Sequence, residues 1–451
     1  MTIAWLVGLP LVMSLVVLAV GRLRWLATPL AAAVFMALAI ALATTPEIPP
    51  MLILGRTARL VPIAAVGLAI SAALLGLAVL YGHRVDQGAG ANALALIAYG
   101  LFAAALTIEN LALAVILMLA GATLALLLLP LYRADAALIA LRALFLLILA
   151  GTLLLVGAWA LQQYALDPNQ AHLIPIGGLT IAMGFAIVVA AAPFYVWQPP
   201  ALAHGSVLST ILLGVMLQAI GLLRLQQTLA GGVWIAGEPL ATSMLLFLGV
   251  ASVAVGSLGA WVQRSVSRIV GYAALADAGL IMVALGLEGG VGAPIAFLHM
   301  IHRGLALAAM SMLVGLLRHE LGGDRETDLI GAWRRVPLTT LTLALGGWAL
   351  VGLPPTGGFM SRFAIAQLVA QANPVLAIAL QLAAIGPIWA LARCLVATFQ
   401  PVAASTPRHQ PLVSQLIPLL IALALLVLGT YPQALQWAPI AWQELFSIPG
   451  L

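Results

Sequence analysis

The chain has 451 residues, 64% of them hydrophobic and 7% charged, with a formal net charge of +5. A soluble domain carries roughly a quarter charged residues, so this composition excludes a water-soluble protein and predicts a polytopic membrane chain. The apolar runs do not alternate with polar residues as barrel strands do, and only helices satisfy their own backbone groups in lipid, so the fold class is all-α integral membrane.

Runs of about 20 apolar residues, enough to cross about 30 Å of hydrocarbon, follow one another almost end to end and predict about fourteen spans. The first four cover residues 3–21, 25–43, 60–81 and 91–108. The next five cover 111–131, 139–161, 174–197, 206–225 and 240–262, and the last five 268–287, 292–317, 337–360, 374–399 and 412–430. The first run has no basic residue ahead of it and is followed by Arg22 and Arg24, so it reads as a retained helix and not a cleaved leader. Connections are short except Arg318 to Arg335, the most soluble stretch of the chain.

There is no lysine, and the cations are 18 arginines. Loops of odd number hold Arg22, Arg24, Arg84, Arg133, Arg264, Arg268, Arg318, Arg325, Arg334, Arg335 and Arg408, while even loops hold Arg56, Arg59 and Arg224. This bias places the odd side in the cytoplasm and both termini on the periplasmic side of a cell inner membrane. Arginines scattered over short loops give no reason to expect nucleic acid. Cys394 is the only cysteine, which excludes an intrachain disulfide and a multi-cysteine metal site.

Proline interrupts two spans. The seventh contains Pro193 with Pro199 and Pro200 after it, and the twelfth contains Gly352-Leu353-Pro354-Pro355-Thr356-Gly357-Gly358. Proline frees a carbonyl and kinks a helix. Matching breaks in two halves fit an ion path between inverted repeats, and they equally fit a pair of packing kinks.

Further residues carry a resemblance. The stretch Arg264 to Gly279, then His299-Met300-Ile301-His302-Arg303-Gly304-Leu305, Asp328 to Trp333 and Gly352 to Phe363 resemble, in order, signatures of the antiporter-like membrane subunits of respiratory complex I. Mrp-type cation/proton antiporters and membrane-bound hydrogenases share these signatures. In the first half, Pro193 to Trp197 and His204-Gly205-Ser206 look like the broken seventh helix and the start of the eighth. The resemblance spans about residues 90–400, and the second half looks most like the middle antiporter-like subunit of complex I. It implies fourteen helices with two inverted five-helix repeats. On that pattern helices 1–3 occupy about 1–82, the first repeat about 91–225, the second about 240–399 and the last helix about 412–430.

The resemblance also implies buried ionisable groups along the midplane: a glutamate on helix 5, lysines on helices 7 and 8, and a lysine or glutamate on helix 12. Counting from Asn110 places the first near Leu119 and Ala120, with Glu109 ahead of the helix as a loop residue. The helix-7 position falls at Val188 or a neighbour, the helix-8 position near Met216 or Gln218, and a lysine found on helix 11 of some relatives at Ala306. The helix-12 position holds Arg362, which keeps its proton near neutral pH and is a fixed charge. The first half thus reads as stripped of charge.

The proton-path candidates are Asp277, His299, His302, Arg303 and Arg362. Asp277 is placed mid-span on helix 10. His299, His302 and Arg303 share a face of helix 11 by their spacing, and Asp277 is expected to pair with Arg303. These residues read either as a residual path ending at Arg362 or as an inert buried pair with histidines that tie two helices together. Arg393 is expected to meet a backbone carbonyl or a lipid headgroup, and Gly214 and Gly221 to allow close helix packing.

No catalytic constellation, cofactor motif or metal-ligand set is recognised. Three functions follow. The first is a membrane subunit of a multi-subunit redox or ion-translocating complex, structural or docking in role with at most a partial half-channel. Its partners are other membrane subunits, the lipid bilayer and possible soluble cytoplasmic subunits. The second is a transporter subunit of an Mrp-like antiporter or of an ion-coupled inorganic-carbon uptake complex. The third is a quinone-binding enzyme, for which no polar cluster near the headgroups speaks. The missing lysines favour the first, because a working antiporter needs titratable groups in both halves.

Overall fold

A computed structural model describes residues 2–45, 48–53, 55–82, 90–231, 239–287, 291–401 and 412–431. Arg84 and Arg408, counted among the odd loops, lie outside the described residues.

The chain passes back and forth as helices. The first six passes are α1 (Ile3–Ala19), α2 (Arg24–Thr44), α3 (Pro62–Gly82), α4 (Ala91–Thr107), α5 (Leu111–Tyr132) and α6 (Ala137–Leu166). The seventh pass is broken into α7 (Leu173–Val188) and, after a 3-10 turn at Phe194–Trp197, α8 (Gln198–His204). The eighth runs from α9 (Val207–Thr210) through a π-helical segment, Ile211–Leu217, into α10 (Gln218–Gly231). Then come α11 (Pro239–Val262), α12 (Val266–Leu285), α13 (Ala293–Leu321) and the short α14 (Ala332–Arg335). The twelfth pass is divided between α15 (Pro337–Leu350) and α16 (Gly357–Ala372), the thirteenth bends between α17 (Pro374–Ala383) and α18 (Ile385–Phe399), and α19 (Leu412–Thr430) is the last. Among the described residues ten helical stretches are long and apolar enough to span a membrane, and four shorter apolar helices complete the series.

One element was not foreseen. Between α2 and α3, β1 (Met51–Ile53) pairs antiparallel with β2 (Arg56–Ala58) around Gly55, whose φ is +72°. The hairpin leans on the end of α4, where the Arg59 amide donates to the Thr107 carbonyl at 2.7 Å.

The two breaks are built alike. α7 closes with the Ala191 amide donating to the Ala186 carbonyl at 2.8 Å and the Ala190 amide to Ile187 at 3.1 Å. α15 closes with Leu353 donating to Trp348 at 3.1 Å and Gly352 to Ala349 at 3.1 Å. Both are Schellman closures, which need a residue in the left-handed region at their turn. Ala190 (φ +57°) and Gly352 (φ +68°) supply it. In each case a proline follows three residues later, Pro193 and Pro355, so the helix does not resume in line.

Small residues let the helices approach closely. A Cβ added to Gly279 on α12 would sit 2.5 Å from the Gly249 carbonyl oxygen of α11, and one added to Gly249 would sit 2.7 Å from the Gly279 oxygen. Close approach of backbones through glycine is the usual device where lipid offers no hydrophobic drive between helices. Gly221 is packed the same way, 2.9 Å from Val188 by the same measure.

Candidate functional site: a buried polar axis between the two helix breaks

Asp277 on α12 is 1% exposed. Its Oδ1 accepts a hydrogen bond from Nη2 of Arg362, on the second turn of α16. This corrects the expected pairing with Arg303. The broken twelfth helix carries Arg362 into the bundle just after the turn, and Gly352 makes room for it, since a Cβ there would lie 2.3 Å from Arg362 Cδ. A small cavity of about 10 Å³, with Ser257 and Gln381 in its wall, reaches Arg362 as well. That is close to the room one water needs.

His299 Nε2 lies 3.7 Å from Asp277 Oδ1. Its Nδ1 is 2.9 Å from the Ser361 hydroxyl, and Nδ1 of His302 is 3.1 Å from the same hydroxyl. The two histidines are one turn apart on α13 and converge on one serine of α16. His302 also packs on the backbone of that helix, so that a Cβ at Gly357 would fall 2.8 Å from His302 Nε2. His302, Ser361 and His299 are thus linked through the serine hydroxyl, while His299 Nε2 stops 3.7 Å short of Asp277 and makes no hydrogen bond.

Arg303, one turn beyond His299, makes its hydrogen bonds elsewhere than to Asp277. Its Nη1 donates to the Gly214 carbonyl at 2.8 Å, and its Nη2 donates to the Ala274 carbonyl at 3.2 Å and to Gln218 Oε1. Gly214 lies in the π-helical segment of the eighth pass, where the wider turn disturbs the regular ladder and leaves a carbonyl to the guanidinium. Single π turns of this kind recur at functional sites. Gln218 in turn donates from Nε2 to the Val189 carbonyl at 3.2 Å, at the end of α7. A polar line thus runs from the break of the seventh helix through Gln218 and Arg303, across α13 to its two histidines, and on to Asp277, Arg362 and the break of the twelfth.

The expectation that the first half holds no charge needs amending. No Asp, Glu, His, Lys or Arg lies on α5, α7 or the eighth pass up to Gln218, but the Arg303 guanidinium reaches the helix-8 position from helix 11. Leu119 and Ala120 are not on the core face of α5. Ala120 is exposed, Leu119 wedges against Gly151, and the buried residues around them include Val115, Met118, Gly121 and Ala122. Val188 and Gln218 are fully buried, and Met216 and Ala306 are nearly so.

Other assignments follow from the geometry. Glu109 precedes α5, whose cap is Asn110 accepting from the Leu113 amide at 3.0 Å. Arg224, counted as a loop residue, lies within α10 and is 8% exposed, and it caps the end of α4 by donating to the carbonyls of Ala105 and Ile108. Arg393 meets the carbonyls of Trp261 at 3.1 Å and Gln263 at 2.7 Å, as expected. Sequence reading missed Glu320, which is 6% exposed in the last turn of α13. Its Oε2 accepts from Thr339 Oγ1 at 2.9 Å, and Gln415 Nε2 of α19 lies 3.4 Å from its Oε1.

The family model described as NADH:quinone oxidoreductase/Mrp antiporter, TM, matches residues 168–386. This segment is similar to the transmembrane module of that family. It contains both helix breaks and every residue of the polar axis. The chain is 31% identical over 214 residues to NADH-quinone oxidoreductase subunit N 2 of Roseiflexus castenholzii, covering 45% of this chain and 42% of that protein. It is 30% identical over 279 residues to the Hydrogenase-4 component F homolog of Methylacidiphilum infernorum, covering 59% and 56%. The chain spans about half the length of these curated relatives. A chain of the Mrp complex from Dietzia sp. DQ12-45-1b has a TM-score of 0.84 at 17% identity, covering 99% of this chain and 97% of that one. The antiporter-like fold, with two inverted five-helix repeats and broken helices 7 and 12, therefore extends beyond the matched segment to nearly the whole chain.

Proposed function

We propose that this antiporter-like chain is a membrane subunit of a multi-subunit redox or ion-translocating complex in which the polar axis braces the two repeats and carries at most a partial half-channel. One observation supports this reading above the others: both cations of the axis are arginines. Arg303 is held by the Gly214 and Ala274 carbonyls and Gln218, and Arg362 by Asp277. A guanidinium does not give up its proton near neutral pH, so neither end of the axis can cycle its charge. Asp277, His299 and His302 lie between them, and α5, α7 and the eighth pass up to Gln218 carry no Asp, Glu, His or Lys with which to continue a path.

The same reading takes residues of about 91–225 and 240–399 as the two repeats, supported by the matched closures at Ala190 and Gly352. It takes the arginine-rich loops as cytoplasmic, both termini as periplasmic and the inner membrane as the location. The partners it calls for are neighbouring membrane subunits, with soluble subunits on the arginine-rich side.

The test is proton flux in vesicles holding the purified complex, wild type against Asp277→Asn with His302→Ala. Assembly with reduced flux is the expected result. Assembly with unchanged flux removes the half-channel and leaves the bracing role alone.

A further inference from the structure

Away from the axis, a cleft of about 700 Å³ at the arginine-rich end is lined by Arg133, Arg264, Arg268, Arg318 and Arg325, with His204 beside them. We propose that this cleft binds an acidic, carboxylate-bearing segment of a partner subunit. The inference rests on the chain being part of a larger assembly, but its test needs no assembly.

The cleft is short of negative charge. Only Asp324 and Glu326 among its lining residues are acidic. Asp324 already accepts from Arg318 at 3.1 Å, from the Ser265 hydroxyl at 3.1 Å and from the Ser267 amide at 3.2 Å. Glu326 lies between Arg264 at 3.7 Å and Arg393 at 3.9 Å. Arg133 is taken by Asp135 at 2.7 Å. Arg268 and Arg325 are exposed, and their side chains have no acidic partner among the described residues.

The walls are also held in place. The loop after α13 is zipped onto the start of α12, with the Val266 amide donating to the Asp324 carbonyl at 2.9 Å and the Glu326 amide to the Arg264 carbonyl at 2.9 Å. Asp324 caps α12 from outside its own helix, an arrangement that favours the carboxylate at a helix N-terminus. The two unpaired guanidiniums are therefore presented on fixed backbone, and arginine's planar fork suits carboxylates in two-point contacts.

The occupant is a peptide and not a lipid because the walls are helix ends and loops. Only Ala203, Val262, Ile330 and Ala397 among the lining residues are apolar, which leaves no trough for an acyl chain.

The experiment places the full chain in phosphatidylcholine nanodiscs and measures anisotropy of a fluorescein-labelled octa-glutamate peptide. Arg268→Gln with Arg325→Gln should weaken binding at least about fivefold, and Arg268→Gln alone should fall between. Arg22→Gln, on another loop, should bind as the wild type does, and added salt should weaken the wild type more than the double variant. The proposal is overturned if the wild type does not bind, if the double variant binds equally well, or if Arg22→Gln loses as much. Displacement by glycerol phosphate at concentrations where glutamate has no effect also overturns it, by giving the cleft to a phosphate headgroup.

Discussion

Breaking the Asp277–Arg362 pair from either side should destabilise the bundle, and breaking it from both sides should cost far less than the two changes together. Asp277 is 1% and Arg362 9% exposed. Among the described residues the ion-pair contacts of Asp277 are Arg362 and, at 3.7 Å, His299. Arg362→Gln thus leaves a buried carboxylate without its cation, and Asp277→Asn leaves a buried guanidinium without its anion. Removing one partner of a buried pair costs about 3–5 kcal/mol, and a value near the lower end, about 3 kcal/mol each, suits a pair with a cavity and a histidine at hand to soften the loss. The double variant carries two neutral amides, so no charge is stranded, and its cost should also be about 3 kcal/mol, a coupling of about 3 kcal/mol. Equilibrium unfolding by SDS in mixed micelles, followed by tryptophan fluorescence, measures all three. Single variants costing less than about 1 kcal/mol, or a double variant equal to their sum, would refute the pairing as the element that holds α12 to α16.

The remaining predictions use neighbouring contacts. Gly352→Ala should lose about 2 kcal/mol or more, from the left-handed backbone and from displacing Arg362, and should add little in an Arg362→Gln background. Arg303→Met should cost about 2–3 kcal/mol by stranding buried acceptors on Gly214, Ala274 and Gln218, with faster amide hydrogen exchange over Ile211–Leu217. Arg224→Gln should fray the end of α4, seen as faster exchange at the Ile108 amide, whose bond to the Ala104 carbonyl lies beside the cap. A cysteine introduced as Gly323→Cys, with Cys394→Ser, should be labelled from the cytoplasmic side of sealed vesicles, and labelling from the other side alone would reverse the topology.

Much of the fold was legible because lipid punishes charge and unpaired backbone. Proline in an apolar run marks a break, so Pro193 and Pro354 located both interruptions. Charges inside such runs have to be buried and partnered, which singled out Asp277, His299, His302, Arg303 and Arg362. Who pairs with whom was not legible. Spacing along α13 puts His299 and Arg303 on one face, but an arginine side chain is long enough to reach past its helix, and Arg303 turns to a π-helical carbonyl that leaves no mark in the sequence. Glu320 was hidden for another reason. It follows Arg318 and His319 and so reads as loop, yet α13 continues past it and α19 closes over it. The Met51–Ala58 hairpin is too short to show alternation.

The central claim is that fixed charges replace the cycling ones, so that the chain has no complete proton path of its own. The direct measurement is proton flux through the purified chain alone, in vesicles under an imposed potassium diffusion potential with a pH dye inside. The account predicts a pH change no faster than in protein-free vesicles. A fast proton influx that Asp277→Asn abolishes would contradict it, and would mean that another titratable route crosses the first half.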